Sequence, residues 1–249
     1  MQARRPLARP IVALGGGGFA SRADPRRDRS ALDTLILGLA GARGAASGRT
    51  RPRLAFIGTA SGDDPRFIGR YHAAFDDHAE VRHLGLFDRD VVDIEAFLVD
   101  QDGIYVGGGN TASLLAVWRT HGVDVALRAA HAAGVVLAGR SAGSICWFES
   151  GTTDSWGPVL GAVTGGLGLI PGSHSPHYDG EPERRPTYHR LIADGILAGG
   201  YAVDDGAALV FDGPELVEVV AERDDAGAYR VDLVDGAVRE TPLAARRLP

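Results

Sequence analysis

An α/β fold with a mostly parallel sheet follows from three features of the 249-residue sequence. Short apolar runs alternate with stretches of helical spacing, several of those runs stop at glycine clusters, and 35 residues are glycine. Glycines directly after an apolar run supply the sharp turn that ends a strand. Strands separated by helices are joined by right-handed crossovers, which gives a parallel sheet with helices on both faces. The expected architecture is a single three-layer α/β/α domain over residues 1–249, with a core over about 10–212 and a β-rich tail over 213–249.

Pro10 to Leu14 is a short apolar run ending at Gly15 to Gly18, and Ala31 to Leu39 has helical spacing, so a strand, a glycine turn and a helix open the fold. Arg53 to Gly58 predicts a second buried strand, Arg66 to His78 a helix and Val81 to Leu86 a third strand. Val92 to Leu98 then predicts a short helix, Gly103 to Val106 a strand, and Thr111 to Trp118 and Val123 to Ala133 two more helices. Val135 to Ala138 is a buried strand that stops at Gly139, and Ser144 to Phe148 begins a helix. Beyond Gly151 the pattern loses its period and reads as a long Gly-, Pro-, Ser- and His-containing loop until a helix at Tyr188 to Leu197. Loops of that length in a compact domain are often functional. Ala207 to Phe211, Leu216 to Ala221 and Tyr229 to Val234 return to β character between Asp and Gly turns, and predict an antiparallel extension.

Composition narrows the function classes. Hydrophobic residues make up 45% and charged residues 23%, close to ordinary soluble globular usage, and the net charge is -6 with basic and acidic residues interleaved through most of the sequence. No basic face for nucleic acid stands out, so a small or peptide substrate is expected. Arginines cluster near the N-terminus (Arg4, Arg5, Arg9, Arg22, Arg26, Arg27, Arg29), but the apolar run after Arg9 lasts only a few residues. A secretory h-region needs roughly 7 to 15 apolar residues and a membrane span about 20, so a cytoplasmic protein without membrane contact is expected. The lone Cys146 has no disulfide partner within the chain, which agrees with a reducing compartment.

The chemistry centres on Gly139-Arg140-Ser141-Ala142-Gly143. It matches G-x-S-x-G, in which a strand turns sharply into a helix and lifts the serine hydroxyl clear of the sheet. Short glycine motifs arise readily in a glycine-rich chain, so the preceding buried strand is what makes Ser141 the candidate nucleophile rather than a plain turn residue. Gly107-Gly108-Gly109-Asn110 ends the neighbouring strand and brings backbone N–H groups toward that of Ala142, as donors for an oxyanion. The competing reading of this glycine run is a phosphate cradle, but no Walker lysine follows it.

For the base, His174 and His177 are both placed in the polar segment after Gly151, and position does not separate them. A zinc site from His174, His177 and Asp179 lacks any supporting spacing. For the acid that orients the imidazole, Asp205 before an apolar strand and Asp154 after the nucleophile segment both qualify, and either also fits a cap or turn role. Cys146, five residues past Ser141, falls inside the following helix and reads as a buried core thiol.

Taken together, GGGNT at Gly107 to Thr111, GRSAGS at Gly139 to Ser144, GLGLIPG at Gly166 to Gly172, PHY at Pro176 to Tyr178 and YAVDDGAALV at Tyr201 to Val210 resemble the peptidase E and cyanophycinase group of serine peptidases. That group has a fold like the class I glutamine amidotransferases. The resemblance spans Ile11 to Phe211 and implies Ser141 as nucleophile, His177 as base and Asp205 as acid, with Asp154 an auxiliary alternative. It further implies an oxyanion hole at Gly109 and Ala142, substrate contacts from Asn110 and Arg184, no metal or other cofactor, and a homodimer or larger assembly. Peptidase E activity cleaves after an N-terminal aspartate, which calls for a cation in the first-residue pocket. Glu183 stands where the family arginine aligns, with Arg184 one step later, so an Asp-Xaa dipeptidase is expected only if Arg184 takes that part. A non-catalytic binding protein on the same fold and a cyanophycin hydrolase are the alternative readings.

Overall fold

The computed structural model describes residues 6–19 and 30–249, so the N-terminal arginines other than Arg9 lie outside the described residues. Its first half is β1 (Pro10–Leu14), α1 (Ala31–Ala46), β2 (Arg53–Ile57), α2 (Pro65–Phe75), β3 (Glu80–Leu84), α3 (Ile94–Val99), β4 (Gly103–Val106), α4 (Thr111–His121), α5 (Val123–Ala132) and β5 (Val136–Arg140). A single helical turn, α6 (Ala142–Ile145), leads to β6 (Phe148–Thr153), β7 (Gly161–Thr164) and β8 (Ile170–Ser175). Then come α7 (Arg184–Ala193), β9 (Gly200–Val203), β10 (Ala207–Asp212), β11 (Glu215–Ala221), β12 (Ala228–Val234), β13 (Ala237–Leu243) and β14 (Ala245–Arg247).

Two sheets organise these strands. The larger has the order β14-β11-β10-β1-β5-β4-β2-β3, and its five central and distal strands from β1 to β3 are parallel. Side chains alternate between its faces, as strand geometry requires. Ile11, Ala13, Ala55, Ile57, Ile104 and Val106 face the core shared with α3, α4 and α5, whereas Val12, Leu14, Leu54, Phe56 and Tyr105 face α1 and α2. Both faces are buried, which is why these strands read as continuous apolar runs in the sequence. Ser30, Asp93 and Asn110 cap α1, α3 and α4 by accepting backbone N–H groups.

Of the second sheet, β13-β12-β9-β8-β6-β7, the sequence reading has only the strand at Tyr229 to Val234, which is β12. This sheet packs Phe148, Ile170 and Val203 against the main core, and Ala202 and Val231 against Tyr188 and Leu191 of α7. The segment beyond Gly151 therefore holds strands where a loop was expected. Beyond Phe148 and Ile170 their residues are mostly short and polar (FESGTT, IPGSHS), so the buried stretch of each strand carries Thr152, Ser173 and Ser175. The expected helix after Ser141 ends at Ile145, because the chain enters β6 three residues later. The C-terminal strands are antiparallel as expected, but they are shared: β10 and β11 extend the large sheet and β12 and β13 the second.

Candidate active site

Ser141 follows the last residue of β5 and caps α6, with φ 53° and ψ -120°. A serine in this conformation is strained by about 1–3 kcal/mol, and it is tolerated because its neighbours leave no alternative. A Cβ on Gly139 would lie 2.0 Å from the carbonyl oxygen of Gly143, and one on Gly143 2.2 Å from that of Val106. Only glycine at both positions lets strand, turn and helix close this tightly, which is the physical content of the G-x-S-x-G pattern.

Parallel neighbours bring their C-terminal ends together around this serine. The Ser141 amide donates to Leu14 O at the end of β1 (3.4 Å). On the other side, a Cβ on Gly108, just past β4, would sit 3.2 Å from Ser141 Cβ and 3.7 Å from its Oγ. Gly109 has φ +141°, which an L side chain rarely adopts, and Asn110 N donates to Ala60 O (2.8 Å). Among the described residues the amides of Gly108 and Gly109 have no acceptor. The Ala142 amide, first of α6, precedes any intrahelical acceptor.

His177 lies two residues past β8, also at positive φ (53°). Its Nδ1 is 2.6 Å from Asp205 Oδ1. An ionised carboxylate only accepts, so the ring proton sits on Nδ1 and Nε2 is left as an acceptor. The ring packs on Gly16: a Cβ there would lie 2.9 Å from His177 Cε1 and 2.0 Å from Asp205 Oδ1. Ser141 and the His177–Asp205 pair are thus seated on adjacent points of one strand end, residues 14 and 16. Among the described residues Ser141 Oγ has no hydrogen-bond partner, His177 included.

Asp205 precedes β10, where Gly206 N donates to Gly16 O (3.1 Å), and its own amide donates to Asp179 Oδ1 (2.7 Å). Asp179 is held in turn by Arg223 Nη2 at 2.6 Å. The hydrogen bond from His177 holds the Asp205 carboxyl below the ordinary carboxylate range against the opposing effect of burial, with the charges of His177, Arg223 and Arg184 adding to it. Asp154 is exposed in the turn after β6, and its side chain makes no bond to His177 among the described residues.

The remaining candidates are engaged with the protein itself. Asn110 caps α4 by accepting from Ser113 N (2.8 Å) and donates to Ser155 O (2.8 Å), which ties the β6–β7 loop to the glycine turn. Arg184 is only 3% exposed, with Nε on Glu181 Oε2 (2.6 Å) and Nη1 on Thr152 O (3.0 Å). Its Nη2 has no partner among the described residues. His174 is wholly buried: Nε2 lies 2.9 Å from Ser144 Oγ and Nδ1 3.2 Å from Tyr201 O. Burial pushes its imidazole down to about 3, so it is neutral and unsuited to exchange protons with a substrate. His177 and Asp179 both bond Asp205 while His174 bonds Ser144 and Tyr201, and among the described residues no group of three His, Cys, Asp or Glu side chains could hold a metal ion. Cys146 is buried, as expected, with Sγ against Gly143 O (3.1 Å), and burial pushes its thiol well up. Among the described residues no helix is long and apolar enough to cross a membrane.

Arg140 was not singled out from the sequence, yet its guanidinium stacks over Phe19 (4.8 Å) and donates to Gly17 O (3.0 Å), bracing the residue before the serine. Its position inside the G-x-S-x-G pentapeptide was the one available signal.

Residues 42–219 match the model of peptidase family S51, more than half of the chain. A Bacillus subtilis (strain 168) protein named "Uncharacterized peptidase YgaJ" is 46% identical over 239 residues, covering 96% of this chain and 98% of that one. A Shewanella denitrificans (strain OS217) peptidase E is 33% identical over 155 residues, 59% of this chain and 63% of its own length. The crystal structure of a peptidase from an acI-B1 Actinobacterium superposes with a TM-score of 0.69 over 96% of both chains at 19% identity, a likeness of fold. With its serine at a strand-to-helix corner and a histidine–aspartate pair on the same strand end, the chain belongs to peptidase family S51.

Proposed function

We propose that this protein is a serine peptidase of small peptides, with Ser141 as nucleophile, His177 as general base and Asp205 as the orienting acid. The observation that carries this reading is the 2.6 Å His177–Asp205 bond, which turns the basic Nε2 outward beside the strand end that also seats Ser141. Catalytic contacts between nucleophile and base commonly tighten only when substrate is bound. Ser141 Oγ adds to the scissile carbonyl while Nε2 takes its proton. The oxyanion is met by amides near Gly109 and Ala142, and His177 returns the proton to the departing amine. Water then attacks the acyl-enzyme with the same base. Asp205 stabilises the imidazolium without taking its proton.

The finer reading is an Asp-Xaa dipeptidase. The unpartnered Nη2 of Arg184 supports it, since a buried guanidinium with a spare donor suits a substrate carboxylate. The Glu181 carboxylate on Nε weakens that cation, and this sets the competing expectation of neutral first residues. A dipeptide panel assayed with wild type and Ser141→Ala decides both points. Turnover by wild type alone is expected, with Asp-Xaa preferred. Equal turnover by the variant removes the triad, and activity confined to neutral dipeptides removes the aspartyl preference. A fluorophosphonate that leaves folded wild type unlabelled at Ser141 favours a non-catalytic binding protein instead.

A further inference from the structure

We infer that Ser144 and His174 are positioning residues that set the spacing between the nucleophile and the base, an inference that rests on Ser141 and His177 having those roles. Ser144 stands one helical turn after Ser141, with its Oγ 2.8 Å from Ser141 O and 2.9 Å from His174 Nε2. Ser141 O already accepts the amides of Ser144 (2.9 Å) and Ile145 (3.0 Å). Tyr201 O can only accept, so the proton of the neutral His174 ring is assigned to Nδ1 and Nε2 becomes the acceptor for the Ser144 hydroxyl. The ring is clamped from its face by Phe148, stacked at 4.6 Å and 8°. With its one proton given to His174 Nε2, the Ser144 hydroxyl does not also donate to Ser141 O, and Ser144 is tied to the Ser141 peptide through its own amide (2.9 Å); the contacts run from Tyr201 O on β9, through His174 on β8, to Ser144 on α6.

What this chain joins is the key to its role. α6 carries Ser141, and β8 runs from His174 through Ser175 and Pro176 directly to His177. The Ser144–His174 contact is thus a direct strut between the helix that fixes the nucleophile and the strand that delivers the base. All of its side chains are buried, so water does not compete for its hydrogen bonds. Its side chains make no hydrogen bond to the Gly107–Asn110 turn or to Arg184, and its helix end bears on the Ser141–Ala142 peptide, whose N–H is a proposed oxyanion donor. Removing it lets the second sheet shift against α6, and misplacement by about 1 Å costs up to about 100-fold in rate.

The test compares Ser144→Ala, Ser144→Thr and wild type for kcat and KM on the best dipeptide and for the rate of fluorophosphonate labelling of Ser141, at a temperature where circular dichroism shows each variant folded. Ser144→Ala is expected to lose about 10-fold in kcat and in labelling rate, with KM within about 2-fold, and Ser144→Thr to recover most of both. A merely structural contact lowers Tm and leaves kcat and labelling unchanged, and that outcome overturns the inference. If Ser144→Ala does not fold, His174→Gln against His174→Phe gives the same comparison, because the amide still reaches Ser144 and the phenyl ring does not. Wild type that is neither labelled nor active sinks the nucleophile assignment itself, whereas active wild type with an indifferent Ser144→Ala sinks only the strut.

Discussion

The two arms of the proposed catalytic site, one for the proposed nucleophile and one for the proposed base, are built by opposite means. The nucleophile arm is backbone: Ser141 is held at φ 53° by glycines whose missing side chains let β4, β5 and α6 close to within 2.0–2.2 Å of where a Cβ would be. The base arm is side chain: His177 projects from a connection after β8 and is aimed by Asp205, itself anchored through Asp179 and Arg223. Behind it, Tyr178 donates to Glu240 Oε2 (2.6 Å), and Arg185 covers Tyr178 from above (4.7 Å). A backbone arm tolerates no change of shape, whereas a polar arm tolerates changes of shape but not of charge or tautomer.

The sharpest break removes the reacting group. Ser141→Ala should lower turnover by at least about 10⁴-fold with the melting temperature unchanged or slightly raised, since only the hydroxyl and not the fold depends on it. Thermal melts beside the dipeptide assay check this. On the base arm, Asp205→Asn should cost about 10²–10⁴-fold in kcat with little change in KM, because the amide no longer enforces the Nδ1–H tautomer. An unchanged pH–rate profile in that variant would speak against the assignment. Gly139→Ala should behave differently from both, destabilising the protein by about 3 kcal/mol or more in urea titrations, because its Cβ meets Gly143 O at 2.0 Å and backbone cannot give way.

A subtler effect arises beneath the loop that links the arms. Asp33 is fully buried and accepts the Phe19 amide, and among the described residues its Oδ1 and the nearby Tyr105 Oη have no hydrogen-bond partner. Burial raises its carboxyl from 3.8 to about 6. The folded state therefore holds this proton more tightly than the unfolded chain. Its contribution is greatest below about pH 4 and is lost as pH rises through about 6, a difference of about 3 kcal/mol. Asp33→Asn should gain on wild type by up to that amount between pH 4.5 and 7.5, read from denaturation midpoints. Asp205, whose carboxyl is held low, works in the opposite sense and loses its contribution as pH falls. The smallest effect belongs to Asp154→Asn: kcat within about 2-fold of wild type, since its exposed carboxylate supports neither arm. A loss near that of Asp205→Asn would transfer the acid role to Asp154.

Strands β1, β2, β4 and β5 of the large sheet were legible because burial on both faces forces continuous apolar runs, and glycines marked where those runs end; the edge strand β3, EVRHL, buries only Leu84. Gly139 to Gly143 announced the serine corner for the same reason: backbone crowding restricts the residue type at each place, so it is written into the sequence directly. The second sheet was not legible beyond β12. Its strands β6 and β8 bury Thr152, Ser173, His174 and Ser175, whose polar atoms are satisfied by partners far along the chain, such as Tyr188 and Tyr201, and local patterning carries no trace of such pairings.

The chain order of its residues by itself determined an α/β enzyme fold with a serine raised at a strand-to-helix turn, since both depend on local sterics and on a period of burial. Residue types and spacing left open which histidine pairs with which aspartate; the resemblance implied His177 and Asp205, and the tertiary structure is what brings those two to 2.6 Å. His174 and His177 are three residues apart in one polar segment, yet one is sealed against Phe148 as a neutral ring and the other turned onto Gly16 to meet Asp205. Solvent access and hydrogen-bond partners separate them, and both are properties of the packed molecule.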